Sequence, residues 1–229
     1  NEKDLEALIS RMEGGLLDTL IVWDANPAYD YRNAAAFRSA AEKVDHSIAL
    51  AYHFNETCKS CNYLAPTHHF LESWGDVEAK RGQLSLIQPT IKNLFDTRQA
   101  ELSLLTWSGS AGIDSNSSQP YMDYLKSNWE ENYFTRQNKF AVFQSFWDNA
   151  LHDGVLELAD DTVTNAFNGD VSMASSKVTP VLNSELEIQF YEAAYIGNGE
   201  NATNPWLQEA PDPVARTSWG NYLAVPVGF

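Results

Sequence analysis

From the amino terminus, the chain sets short apolar runs between polar breaks. Leu5, Leu8, Ile9 and Met12 recur at i, i+3, i+4 and i+7, which predicts an amphipathic helix ended by Gly14-Gly15. Residues 18–24 are an almost continuous apolar run, the pattern of a parallel strand buried on both faces. Asn33 is placed to cap a helix whose core face is Phe37, Ala40, Ala41 and Val44. Residues 47–52 predict the next strand, 57–61 only one or two helical turns, and 63–65 a third, minimal strand. Strand, helix, strand, helix, strand is the grammar of right-handed crossovers on a mostly parallel sheet.

Beyond this the pattern loosens. Residues 67–95 read as a long, mostly irregular excursion, and excursions of that length tend to be functional or tightly packed. Helix returns over 97–107, and 108–120 is loop by composition. Tyr121, Leu125 and Trp129 make one apolar stripe, and Phe140, Phe143, Trp147 and Leu151 a second, so two helices are expected, the second ended by Asp153-Gly154. Residues 159–180 are small and polar, as in a surface loop. Over 185–195, alternation at Leu186, Ile188 and Phe190 predicts a half-exposed strand. Gly197-Asn198-Gly199 reads as a turn, and 204–213 is too rich in proline for regular structure. The expectation is an α/β fold with a helical excursion and a β-containing C-terminal segment, divided into 1–115 and 116–229. The chain begins without Met and stops at AVPVGF, so it reads as a piece of a longer polypeptide.

Composition narrows the function classes. The net charge is −16, from 31 acidic and 15 basic residues. Nucleic acid is disfavoured, because phosphate binding needs concentrated Lys and Arg. No apolar run approaches the ~20 residues that span a bilayer, so direct membrane insertion is not expected.

Each chemical constellation has a plain structural reading beside it. Cys58 and Cys61 form a CxxC at the start of a short helix. Two thiolates alone neither hold an iron–sulfur cluster nor close a zinc site; buried thiols, a disulfide and a redox pair stay open, in that order. His68, His69 and Glu72, with His53, offer metal-ligand types, but hydrogen bonding in a packed loop is the expectation and no metal site is assigned. Glu72, Asp76 and Glu78 form a carboxylate cluster of the kind used in acid–base work, yet Lys80 and Arg81 follow at once and favour a solvated ion-pair patch. The strand ending at Asn26-Pro27 is how an open α/β sheet presents polar groups at its carboxyl ends. No GxSxG, P-loop, GxGxxG or HExxH pattern appears.

The order of three motifs carries a resemblance. Asn26-Pro27-Ala28 is followed by Asn55-Glu56-Thr57-Cys58 with Cys61-Asn62-Tyr63-Leu64-Ala65-Pro66, and then by Glu72, Gly75 and Gln88. That order resembles the molybdopterin oxidoreductase superfamily, whose members show Asn-Pro-Ala, then Thr-Glu-Thr-Ala with Ala-Asp-x-Val-Leu-Pro, then Glu-x-x-Gly with a Gln-containing strand. Cys61-Asn62 stands in place of Ala-Asp. The stretches HHFLESWGD, SLIQPTIKNLFDTRQAELSLLTW, FWDNALHDGV and NPWLQEAPDP with SWGNYLAV are most similar to the periplasmic iron–sulfur subunit of bacterial alternative complex III, a quinol:cytochrome c oxidoreductase.

The resemblance implies a Rossmann-like sheet over 1–115 and a job as a non-catalytic scaffold. Iron–sulfur clusters would lie elsewhere in the parent subunit. The molybdopterin would have been lost, because the Asn-x-Glu-Gly-Arg of catalytic relatives is replaced by Glu78-Ala79-Lys80-Arg81-Gly82. Asn26, Asn55, Glu56, Glu72, Asp76 and Arg81 would mark a vestigial pterin crevice. The implied partners are the rest of its own subunit, other subunits of a membrane-bound respiratory complex, and cytochrome c, at the periplasmic face. Two alternatives stand beside this: a catalytic molybdopterin oxidoreductase of the polysulfide- or thiosulfate-reductase type, and an interaction module using the 67–95 loop and the aromatics around Trp206.

Overall fold

The computed structural model describes residues 2–159, 166–176, 178 and 188–228. The chain forms two compact units, Asn1–Thr164 and Asn165–Phe229.

The first unit opens with α1 (Glu2–Glu13), which buries Ile9 and Met12 and ends where Gly15 turns through a positive φ of 65°. Strand β1 (Thr19–Trp23) leads into the short α2 (Pro27–Asp30) and α3 (Ala34–Ala41), which Asn33 caps by accepting from the Ala36 N–H at 3.3 Å. Then come β2 (His46–Ala51), α4 (Glu56–Ser60) and β3 (Tyr63–Pro66). The three strands are parallel in the order β1-β2-β3, with Thr19 beside His46 and Ile48 beside Tyr63. The predicted α/β class and parallel sheet hold.

One core lies between this sheet and helices α1 to α3. Leu20 and Val22 meet Ile9, Met12, Phe37, Ala40, Ala41 and Val44 there. Burying a ring the size of Phe37 contributes roughly 2–3 kcal/mol. The other face of β1 corrects an expectation. Leu20 and Val22 are 6% and 8% exposed, but Ile21 and Trp23 are 41% and 45% exposed. The helices of this core cover one face of β1, and β1 is a sheet edge, so the strand is buried on one side.

The region read as irregular holds a hairpin. After a 3-10 turn (Phe70–Glu72), β4 (Gly75–Lys80) pairs antiparallel with β5 (Gln83–Ile87) across the Arg81-Gly82 turn, where Gly82 has φ 78°. Asp76, Glu78 and Lys80 alternate with Gly75, Val77 and Ala79, a strand-like period, but its non-polar members are small and none is buried, so the stretch presents no strong core face. The pairing with β5, where Leu84 is buried, holds it in place.

Then follow α5 (Ala100–Trp107), α6 (Pro120–Asn132), α7 (Phe143–Asp153) and β6 (Leu156–Glu157), which adds to β5. Leu84, Leu125, Trp129, Phe146, Trp147 and Ala150 build a second core. The first predicted stripe is a helix, and so is the second from Phe143 on, but Phe140 lies before α7, whose deepest residues include Phe146 and Ala150 beside the predicted face. Gly154 ends α7 at φ 73°, as Asp153-Gly154 suggested.

The second unit contains α8 (Val171–Ser176), inside the stretch read as loop, and α9 (Pro205–Glu209), inside the stretch read as too rich in proline. Pro205 sits at the first helical position, where its missing N–H costs nothing. Asn204 caps the helix by accepting from the N–H groups of Trp206 and Leu207. Of the predicted strand, residues 185–187 lie outside the described residues. Residues 188–192 form no ladder, and Phe190 is 92% exposed; β pairing there is a single antiparallel bridge between Ala193 and Gly197. Alternation alone does not make a strand without a neighbour to pair with. The turn at Gly197 and Gly199 is present, with φ 56° and 88°.

Candidate functional site

The carboxyl ends of β1 and β2 gather three of the six candidate residues. Past Trp23, Asp24 adopts a left-handed φ of 47°, and its N–H donates to the Leu50 carbonyl at 3.1 Å. The chain then turns at Asn26-Pro27 into α2, where the Asn26 carbonyl accepts from the N–H groups of Tyr29 and Asp30.

The Asn26 side chain reaches across to α4. Its Oδ1 accepts from the Thr57 N–H at 3.1 Å and from the Thr57 hydroxyl at 2.8 Å, and its Nδ2 donates to Glu56 Oε2 at 2.8 Å. The buried Thr57 hydroxyl also accepts from the Ala28 N–H at 3.1 Å. Asn55 caps α4, its Oδ1 accepting from the Cys58 N–H at 2.9 Å. The amides at the start of α4 are therefore satisfied from within the chain.

Glu56 carries the charge of this cluster. Its carboxyl is held below the usual glutamate range, first by the Asn26 amide and then by its own backbone N–H, with Lys59 and His53 adding to the effect. An ionised carboxylate thus occupies the first turn of α4, the end of a helix that favours negative charge.

The other three candidates are engaged elsewhere. Glu72 closes the 3-10 turn by accepting from the His69 N–H with Oε2 and from the Leu94 N–H with Oε1, both at 3.1 Å. These two amides hold its carboxyl below the usual range, the His69 N–H most strongly. Asp76 accepts from the indole N–H of Trp129 at 2.8 Å. Arg81 sits in the exposed hairpin turn, beside which Glu78 Oε1 accepts from the Gly82 N–H at 2.7 Å. Asn26, Asn55 and Glu56 thus gather at α4, while Glu72 binds the His69 and Leu94 amides and Asp76 the Trp129 indole, away from that group.

The histidines follow their plain reading. His68 Nε2 donates to the Thr97 carbonyl at 3.0 Å, and His69 Nδ1 accepts from the Leu71 N–H at 3.3 Å. Among the described residues, no group of three or more His, Cys, Asp or Glu is gathered as a metal would require. Sequence reasoning missed Thr57, which ties α2 to α4. It also missed the pair Ser47 and Asn62, whose side chains bond at 2.7 Å between the starts of β2 and β3. An open groove of about 550 Å³ lies between α1 and α3, lined by Glu6, Ser10, Glu13, Arg32 and Asn33. Its guanidinium is already bound to Glu2 and Glu6.

No known family profile matches the chain. Over 171 residues, 73% of the chain, the sequence is 26% identical to the menaquinone reductase, molybdopterin-binding-like subunit of Nitratidesulfovibrio vulgaris. The aligned stretch is 24% of that protein, so the chain spans about a quarter of the length of this curated relative. The match supports a molybdopterin-oxidoreductase-like relationship, as the motif order implied. Among the described residues, no helix is long and apolar enough to cross a membrane.

Proposed function

We propose that this chain is a catalytically silent scaffold section of a molybdopterin-oxidoreductase-like subunit in a quinol-linked electron-transfer complex. Its strand-exit crevice is closed by its own side chains and holds no pterin. The observation that carries this reading is the use of Asn26: both ends of its amide bind α4, through Thr57 and Glu56.

The donor set at the crevice fits a pterin nucleotide poorly. Phosphates bind where helix-start amides and cations face outward. Here the Thr57 and Cys58 amides bond to Asn26 and Asn55, and the ionised Glu56 would repel a phosphate approaching the same helix end.

The relative is a subunit of a menaquinone reductase, which supports a place in a multi-subunit respiratory assembly. The narrower reading is the periplasmic iron–sulfur subunit of alternative complex III. Clusters would lie in another part of the parent subunit, and its neighbours would be sister subunits and cytochrome c. The stretches HHFLESWGD, SLIQPTIKNLFDTRQAELSLLTW, FWDNALHDGV and NPWLQEAPDP with SWGNYLAV support that reading.

Metal and pterin analysis of the natively purified parent complex tests the proposal. We expect quinol oxidation with iron but no stoichiometric molybdenum, and no pterin released on denaturation. Stoichiometric molybdenum with an extractable pterin would establish the catalytic alternative instead.

A further inference from the structure

Cys58 is the third residue of the five-residue α4 and Cys61 is its C-cap, so the pair falls at the end of the helix and not at its start as the sequence suggested. Both are free thiols, the first buried and the second half-buried. Helix geometry places Cα atoms three residues apart at about 5 Å, within the roughly 4.4–6.8 Å that a disulfide spans. Cβ atoms at that spacing lie about 5–6 Å apart, somewhat more than the ~3.5–4.5 Å of a closed bond. Closure therefore asks the last turn of α4 to tighten slightly. That turn is well placed to do so: the helix is five residues long, and its C-cap, Cys61, is already extended at φ −96° and ψ 151°. The Cys58 thiol donates a weak hydrogen bond to the His53 carbonyl at 3.8 Å.

We propose that Cys58 and Cys61 are a reversible dithiol–disulfide site, oxidised by exchange with a small disulfide of the glutathione type. Cys61, the more accessible sulfur, loses its proton to solvent and attacks one sulfur of the external disulfide. That S–S bond breaks, one thiolate leaves and is protonated, and a mixed disulfide forms on Cys61. The Cys58 thiolate then attacks the Cys61 sulfur and expels the second thiol. The protein gives up two electrons and two protons, and the reagent becomes two thiols.

Two observations set the character of the site. Burial, and then the neighbouring Cys58, push the Cys61 thiol up, so attack is slow near neutrality and quickens as pH rises. The first turn of the same helix carries Glu56 and Thr57, the residues that hold Asn26. A bond between Cys58 and Cys61 staples the helix on which the strand-exit cluster depends.

The test follows the peptide that carries both cysteines. The full-length protein is reduced, desalted, incubated with glutathione disulfide at pH 8, quenched with N-ethylmaleimide under denaturing conditions, and mapped by mass. The expected product is a peptide lighter by two hydrogens that takes up no maleimide, and reductant restores both reactive thiols. Cys58→Ser should stop at a glutathione adduct on Cys61, with Cys58→Ala as a second variant should the hydroxyl disturb the buried position. Cys61→Ser should leave Cys58 unmodified. Wild-type peptide that keeps both maleimide-reactive thiols, or ends as a glutathione adduct without the internal bond, overturns the proposal.

Discussion

Asn26 and Thr57 are joined by two hydrogen bonds into a single acceptor, Asn26 Oδ1, from the Thr57 backbone at 3.1 Å and from its hydroxyl at 2.8 Å. These residues are 31 positions apart and tie the exit of β1 to the helix that follows β2. Thr57 is buried, so water does not replace a lost partner there.

Asn26→Ala should therefore cost stability. It strips the Thr57 N–H of its acceptor, and each unsatisfied buried group costs about 1–3 kcal/mol. We expect a loss of roughly 2–3 kcal/mol in denaturant unfolding, with turnover of the intact complex unchanged at permissive temperature. A variant that unfolds like wild type yet blocks turnover would speak for a site role instead.

Glu72 makes stability depend on acid. Its carboxyl is depressed in the folded state by the His69 and Leu94 amides. The unfolded chain binds its proton first, so the stabilisation is complete above the ordinary glutamate range and is lost as pH falls through the lower, folded value. Unfolding midpoints measured from neutral pH into acid should fall more steeply for wild type than for Glu72→Gln. Parallel curves would show that the two amide contacts contribute nothing.

Trp129 anchors the second core and donates to Asp76. Trp129→Ala should cost about 3–5 kcal/mol through the cavity it leaves. Trp129→Phe keeps most of the volume and loses the donor, and we expect about 1–3 kcal/mol. A double-mutant cycle with Asp76→Ala should give a coupling of about 0.5–3 kcal/mol between contacting residues; strict additivity would sever the pair.

Gly154 ends α7 at φ 73°, and a Cβ built there meets nothing within 4 Å. Gly154→Ala should thus cost only backbone strain, about 1–2 kcal/mol, with no change in the spectroscopic signature of the tryptophan core. A much larger loss would mean that the turn is held by contacts beyond its own conformation.

Local periodicity made the first third of the chain legible. The spacing of Ile9 and Met12, the cap at Asn33 and the apolar runs of β1 and β2 each describe one element, and each formed where expected. The hairpin of β4 and β5 was missed although Val77 and Ala79 alternate with Asp76, Glu78 and Lys80, because the apolar members of β4 are few, small and exposed, Val77 at 46%. Strand β6 is two residues whose partner in β5 lies some seventy positions back, as the 74-residue gap between Gln83 and Glu157 illustrates.

The same division runs through the site. That Asn26, Asn55 and Glu56 stand at strand exits follows from the order of runs and breaks along the chain, since a strand's end and a helix's cap are local matters. Where their polar atoms point is not local. Asn26 meets Glu56 30 residues away and Asp76 meets Trp129 53 residues away. Those partnerships depend on how the elements pack, because a hydrogen bond forms only when tertiary structure brings donor and acceptor within about 3 Å. Sequence alone determined a parallel α/β sheet with polar exits; the packing decided that those exits bind one another.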